Sequence, residues 1–179
     1  IKRMKTLRDY LNEAEERGVA IGHFNISDSE GFKAVVESAR ELNLPVIVGV
    51  SESERDFIGI EEIVALVQVE KDKGYPVFLN ADHTYSLEKV QKAIDSGFDS
   101  IIFDGAKLTL EENIKITKAC IDYRNNKNPS VLVEAEMGYI GQSSKVLDSI
   151  PEGVSLETQT KPEEAKRFVE ETGIDLFAP

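Results

Sequence analysis

Cysteine is nearly missing from this sequence: Cys120 stands alone among 179 residues. A single thiol excludes an internal disulfide and any multi-cysteine metal site, and it points to a reducing, cytoplasmic setting. Cys120 itself lies among apolar helical positions in "ITKACI", as a buried small hydrophobe would. Histidine is almost as scarce, with only His23 and His83. Positive charge is outweighed: 21 Lys and Arg stand against 33 Asp and Glu, for a net charge of -12. That balance argues against nucleic acid, whose phosphates demand basic patches, and against anionic membrane surfaces. Small phosphorylated ligands stay open, because a few local donors can bind them. No apolar run approaches the roughly 20 residues that cross a bilayer. "IKRMKTLRDY" leads into no signal-like core, and Ile1 in place of an initiator Met predicts a trimmed start.

What is present is a globular balance, 41% hydrophobic and 30% charged, sized for one domain or most of a larger one. Helical spacing and apolar runs alternate along it. "KTLRDYLNEAEERG" reads as a helix, and "VAIGHFN" is short, apolar and ends at Asn25. "DSEGFKAVVESARELN" is a helix capped by Ser27 or Asp28, followed by the β-branched run "PVIVGVS". The helix "IEEIVALVQVEKDKG" precedes the strand "PVFLNAD"; "SLEKVQKAIDSG" precedes "DSIIFDG". "TLEENIKITKACIDYRNN" leads to "SVLVEAEMG", and "KPEEAKRFVEETG", with Pro162 in its first turn, leads to "DLFAP".

Six strands therefore fall near residues 20–25, 45–50, 76–81, 100–104, 131–136 and 175–178. Each is a continuous apolar run, the mark of a parallel sheet covered by helices. No "GxGxxG" follows the first strand, which counts against a dinucleotide-binding open sheet. Polar residues stand at almost every strand end: Asn25, Ser51, Asp82, His83, Asp104, Glu134 and Glu136. In a (β/α)8 barrel those ends converge on one mouth, where such enzymes place their chemistry. The expectation is a TIM barrel of which about six β/α units are present, with residues 1–179 as a single domain. "GYIGQSSKVLDSIPEGVSLETQT", Gly138 to Thr160, is too long and polar for an ordinary link; it reads as a mobile lid or a disordered insertion.

Asp82 next to His83 is a weak signal alone, since His is often a satisfied polar residue and Asp a helix cap. Asp104 in "DGAK" also reads as a turn residue, and Glu134 and Glu136 as partners of a lysine. Taken together these carboxylates would crowd one imidazole and repel one another unless a cation or proton relieved them. A divalent metal on His83, with Asp82 free as general acid/base, is the economical expectation. His23, inside "IGHFN", reads as structural.

The stretches "FNISDSEGFKAVVESARELNLPVIVGVS", "DHTYSLEKVQKAIDSGFDSIIFDGAKLTLEENIKITK", "VEAEMGYIG" and "TKPEEAKRFVEETGIDLFAP" resemble, in order, the class II metal-dependent ketose-bisphosphate aldolases of the fructose- or tagatose-bisphosphate type. The resemblance implies reversible aldol cleavage of a ketose 1,6-bisphosphate, fructose 1,6-bisphosphate first, to dihydroxyacetone phosphate and glyceraldehyde 3-phosphate. It implies that Asp82 is the acid/base and His83 one of three histidines holding a catalytic Zn²⁺. Asp104 and Glu136 would be carboxylates that hold the metal, or a second ion such as a monovalent cation, beside that position. Asn25 and Ser51 would line the substrate pocket, Ser51 near a phosphate. A homodimer or homotetramer is implied as well.

Three departures stand out. Asn80 occupies the place where many members read His in "HxDH". "GQSSK" stands where many carry acidic residues after the glycines. The other two zinc histidines of the family fall on later strands, beyond Pro179. Two unpaired parallel edges would be an aggregation liability, so the expectation is the N-terminal part of a longer barrel. The alternative is a non-catalytic barrel homologue acting as a scaffold or binding protein. A Schiff-base aldolase is disfavoured because no strand ends in lysine.

Overall fold

β-branched and aromatic side chains fill the short runs between capped helices, and each run pairs with the next in the chain. A computed structural model describes residues 5–138 and 160–179. Its strands are β1 (Gly22–Asn25), β2 (Val46–Val50), β3 (Val77–Thr84), β4 (Ser100–Asp104), β5 (Leu132–Glu136) and β6 (Leu176–Ala178). All pair in parallel, in strictly sequential order. The helices are α1 (Leu7–Glu16), α2 (Ser29–Leu42), α3 (Glu52–Ile58), α4 (Ile60–Asp72), α5 (Leu87–Ser96), α6 (Leu110–Lys127) and α7 (Pro162–Thr172). This is the (β/α)8 barrel architecture, represented by an arc of six strands.

Alternation along each strand separates the two faces. Val46, Val48, Val50, Val77, Leu79, Ala81, Ile101 and Phe103 point outward and are buried against Phe32 and Val36 of α2, Ile63 and Val67 of α4, and Val90 and Ile94 of α5. Each large side chain buried there contributes about 1.5–3 kcal/mol. Inward residues low in the arc, Ile47, Phe78, Leu132 and Leu176, pack on Leu7, Tyr10 and Leu11 of α1. Tyr10 and Phe78 meet with ring centroids 5.4 Å apart, so α1 forms the floor. Most upper inward positions are polar, with Ile102 beside Glu134 and Ala178 beside Glu136 as apolar exceptions.

Two features differ from the sequence reading. Residues 52–58 form a separate helix, α3, where no element was expected. Its start is a capping box: Ser51 accepts from the Glu54 amide, and the Glu54 side chain accepts from the Ser51 amide. β1 is exposed at all four residues rather than covered on both faces, with Phe24 53% accessible. One of its edges pairs with β2, and no described strand pairs with the other. The lid expected between Gly138 and Thr160 lies, apart from those two residues, outside the described residues.

The last strand is fixed by Asp175, just before β6. Its Oδ1 accepts from Arg8 of α1 at 2.6 Å; its Oδ2 accepts from Arg124 at 2.8 Å and from the Val133 amide at 2.9 Å. Arg124 is 5% exposed, so removing its counter-charge strands a buried cation. Asp175→Ala is expected to cost about 3–5 kcal/mol in urea unfolding. Adding Arg124→Met should recover much of that loss, and a double variant no better than the single would show that the pair is not the cause.

Candidate active site

The mouth is organised by an irregularity in β3. Ala81 pairs with Ile101 and Thr84 with Phe103, so β3 advances three residues while β4 advances two. The extra residue is a bulge, and within it His83 adopts a left-handed backbone with φ of 42°. Asp82 keeps the inward direction of Phe78 and Asn80. The turn brings the His83 ring to the same side, with its Nε2 3.9 Å from Asp82 Oδ1.

Neighbouring strand ends complete the cluster. His83 Nδ1 lies 2.9 Å from Asp104 Oδ2 and 3.6 Å from Glu136 Oε2. The other Asp104 oxygen accepts from the Ala106 amide at 3.1 Å, so this carboxylate serves both the turn and the site. From β1, Asn25 Nδ2 donates to Asp82 Oδ2 at 2.7 Å. That bond occupies one carboxylate oxygen and leaves Oδ1 toward the imidazole. Asn25, Asp82, His83, Asp104 and Glu136 are thus brought together. Ser51 is instead engaged in capping α3, with Ser53 Oγ 3.2 Å away.

The charges are strained in a consistent direction. Hydrogen bonding to Asp104, reinforced by Asp82 and Glu136, overrides burial and raises the pKa of His83 to about 9. For Asp104, burial pushes upward, but the His83 hydrogen bond and the Ala106 amide hold its carboxyl below the ordinary range. Burial, then the charge of Asp104, pushes Glu136 up. Burial and Asp82 do the same to Glu134, two residues earlier on the same face. Among the described residues, His83 is the cation within 4 Å of both Asp104 and Glu136. One imidazole thus serves several carboxylates.

That donor set fits a divalent cation. One ligand atom each from His83, Asp104 and Glu136 can be chosen so that all lie within 4.8 Å of one another. An imidazole with two carboxylates suits zinc and its neighbours, and an added cation would offset the burial and like charge that raise Glu134 and Glu136.

Three residues at the mouth were not singled out from sequence, or were read otherwise. His23, read as structural, is on the inward face with Asn25. A Cβ on Gly49 would lie 2.3 Å from its Nε2, so Gly49 makes room for the ring. Burial lowers the pKa of His23, and only the charge of Asp82 opposes this. Tyr85 stacks on His83 with centroids 6.4 Å apart and rings inclined by 22°. Arg55 of α3 lies buried behind β3; the "SxxE" cap at 51–54 was the available signal for its helix. Cys120 is fully buried, its thiol pushed up to about 12 by burial, as its apolar setting implied.

Residues 5–179 match the family model described as "Fructose-bisphosphate aldolase class-II". The chain is 36% identical over 178 residues to the fructose-bisphosphate aldolase of Staphylococcus aureus, covering 97% of this chain and 60% of that protein. It is 35% identical over 178 residues to the enzyme of the same name from Geobacillus stearothermophilus, with the same coverage. The crystal structure of the YdjI aldolase from Escherichia coli K12 superposes with a TM-score of 0.79 at 27% identity, covering 98% of this chain and 61% of that one. The chain thus spans about 60% of the length of the curated relatives it matches.

The raised pKa of His83 makes a signed prediction. Folding favours its protonated form, so the contribution to stability is complete below pH 6.5 and is lost as pH rises to about 9. The metal-free protein should lose thermal stability across that window, and His83→Gln should flatten the loss in calorimetric scans. An unchanged slope in the variant would place the titrating group elsewhere.

Proposed function

The chain belongs to the class-II fructose-bisphosphate aldolase family, and we propose that it carries the acid/base and one metal-binding imidazole of a zinc-dependent aldolase site. The substrate proposed is a ketose 1,6-bisphosphate, fructose 1,6-bisphosphate first, in a homodimeric or homotetrameric cytoplasmic enzyme. The observation that carries this reading is the convergence of Asp82, His83, Asp104 and Glu136 on one mouth, with His83 Nδ1 2.9 Å from Asp104.

A bound divalent ion would supply Lewis-acid polarisation of the substrate carbonyl. His83, Asp104 and Glu136 would hold it, joined by the further histidines that the family resemblance implies. The chain's own chemistry centres on Asp82. In the cleavage direction, its carboxylate takes the proton of the substrate's C4 hydroxyl. The C3–C4 bond breaks, its electron pair stays on C3 beside the carbonyl, and C4 leaves as the aldehyde. In condensation the same group returns the proton. The Asn25 amide holds Asp82 Oδ2, which fixes the carboxylate plane and leaves Oδ1 to exchange the proton. Asn25 and Ser51 are proposed as pocket contacts, Ser51 toward a phosphate.

Two substitutions separate the roles. In the protein carrying this chain, Asp82→Ala is expected to keep its zinc while kcat falls ~10²–10⁴-fold. His83→Ala is expected to lose zinc affinity, because one protein ligand is gone. Zinc stoichiometry and aldol-cleavage rate on both folded variants check this. Wild-type zinc and rate in both would overturn the assignment.

A further inference from the structure

A left-handed residue inside a strand has to be held, because the regular pleat is the lower-energy course for an L-residue. At His83 the holding group is visible. Arg55 is 6% exposed, and its guanidinium reaches across from α3 to the ends of β2 and β3. Nη1 donates to the carbonyls of Val50 at 2.6 Å and Asp82 at 3.1 Å, and Nη2 donates to Thr84 Oγ1 at 3.0 Å. Two of those acceptors belong to the residues on either side of His83. Thr84, fully buried, also donates to the Ala81 carbonyl at 3.3 Å, which closes the bulge on itself.

The planar fork of an arginine suits this task and a lysine does not, since the donors must meet three acceptors in fixed directions. At Asp82, Arg55 grips the backbone carbonyl, behind the side chain that faces the mouth. The carboxylates of Glu52, Asp56 and Asp82 oppose the effect of burial on the guanidinium, so its charge is supported from both α3 and β3.

We infer that Arg55 is a positioning residue that holds the left-handed turn at His83, and thereby keeps the Asp82 carboxylate and the His83 imidazole on one mouth. Without it the bulge can relax toward regular pleating, which turns the His83 ring away from Asp104 and Glu136. Its consequence for metal binding rests on the proposed function, whereas its hold on the backbone does not.

Two readouts on the full chain test this. The first is metal-free: the amide–Hα coupling and the Cα and Cβ shifts of His83 by NMR distinguish left-handed from extended backbone. The second is the affinity and visible absorption spectrum of Co²⁺ bound through His83. Arg55→Met is expected to shift the His83 signals toward extended values and to weaken Co²⁺ by ~10-fold or more, as loss of an outer support typically does. Millimolar guanidinium, filling the vacated site, should restore both, which a general loss of stability would not allow. Arg55→Lys should fail to substitute, and Thr84→Val, which removes one acceptor, should give a smaller shift in the same direction. These two variants carry the test if Arg55→Met does not fold. A folded Arg55→Met whose His83 signals and Co²⁺ affinity match wild type overturns the inference and leaves the metal site standing. If the His83 signals move but wild-type protein binds no Co²⁺ through His83, the positioning role stands and the proposed metal site falls.

Discussion

Successive residues of a pleated strand face opposite sides, so a site that needs both Asp82 and His83 must break the pleat between them. The bulge opposite β4 does this, at the cost of a left-handed residue, about 1–2 kcal/mol for an L-amino acid. Everything at the mouth follows from that turn. It sets the imidazole 2.9 Å from Asp104, and it leaves Asp82 directed inward where Asn25 can hold it. Buried hydrogen bonds from Arg55 to the surrounding backbone are the compensating term.

The same turn concentrates charge. Asp82, Asp104, Glu134 and Glu136 crowd the His83 imidazole, and the outcome is a histidine that holds its proton and glutamates that resist losing theirs. A protein interior avoids such crowding unless something relieves it. In the metal-free protein the His83 proton does so. A divalent cation would take over that duty and displace the proton, which couples metal uptake to pH. The arrangement is unfavourable as packing and favourable as a ligand site.

A cluster of this kind requires a rigid frame, and the frame lies elsewhere in the arc. Outward aliphatic side chains of β2, β3 and β4 bury against α2, α4 and α5, while α1 forms the floor beneath Phe78 and Leu132. Asp175 ties α1, α6 and β5 to the start of β6 through two arginines and an amide. Apolar packing below and outside leaves the upper inward positions free for polar residues. The division is that of barrel enzymes, with stability at one end and chemistry at the other.

Much of this was legible in the linear pattern. Apolar runs closed by polar residues placed all six strands to within a few residues, and spacing of two put Glu134 and Glu136 on one face. The adjacency of Asp82 and His83 was a weak signal alone; the carboxylates at neighbouring strand ends, Asp104, Glu134 and Glu136, marked the candidate site. Other features escaped. Residues 52–58 show little apolar periodicity, so α3 was unassigned although Ser51 and Glu54 spelled its cap. β3 was expected to stop at residue 81, yet it continues through the bulge to Thr84. His23 read as structural, since nothing near it in sequence shows that Gly49 leaves its ring room beside Asp82. The sequence by itself determined the order of elements, their inward and outward faces and the residue types at the mouth, because these depend on local periodicity. Only the tertiary structure decided the conformation of His83 and the role of Arg55. Both depend on the register of β4 and on a helix distant in the chain, and no local pattern encodes contacts of that range.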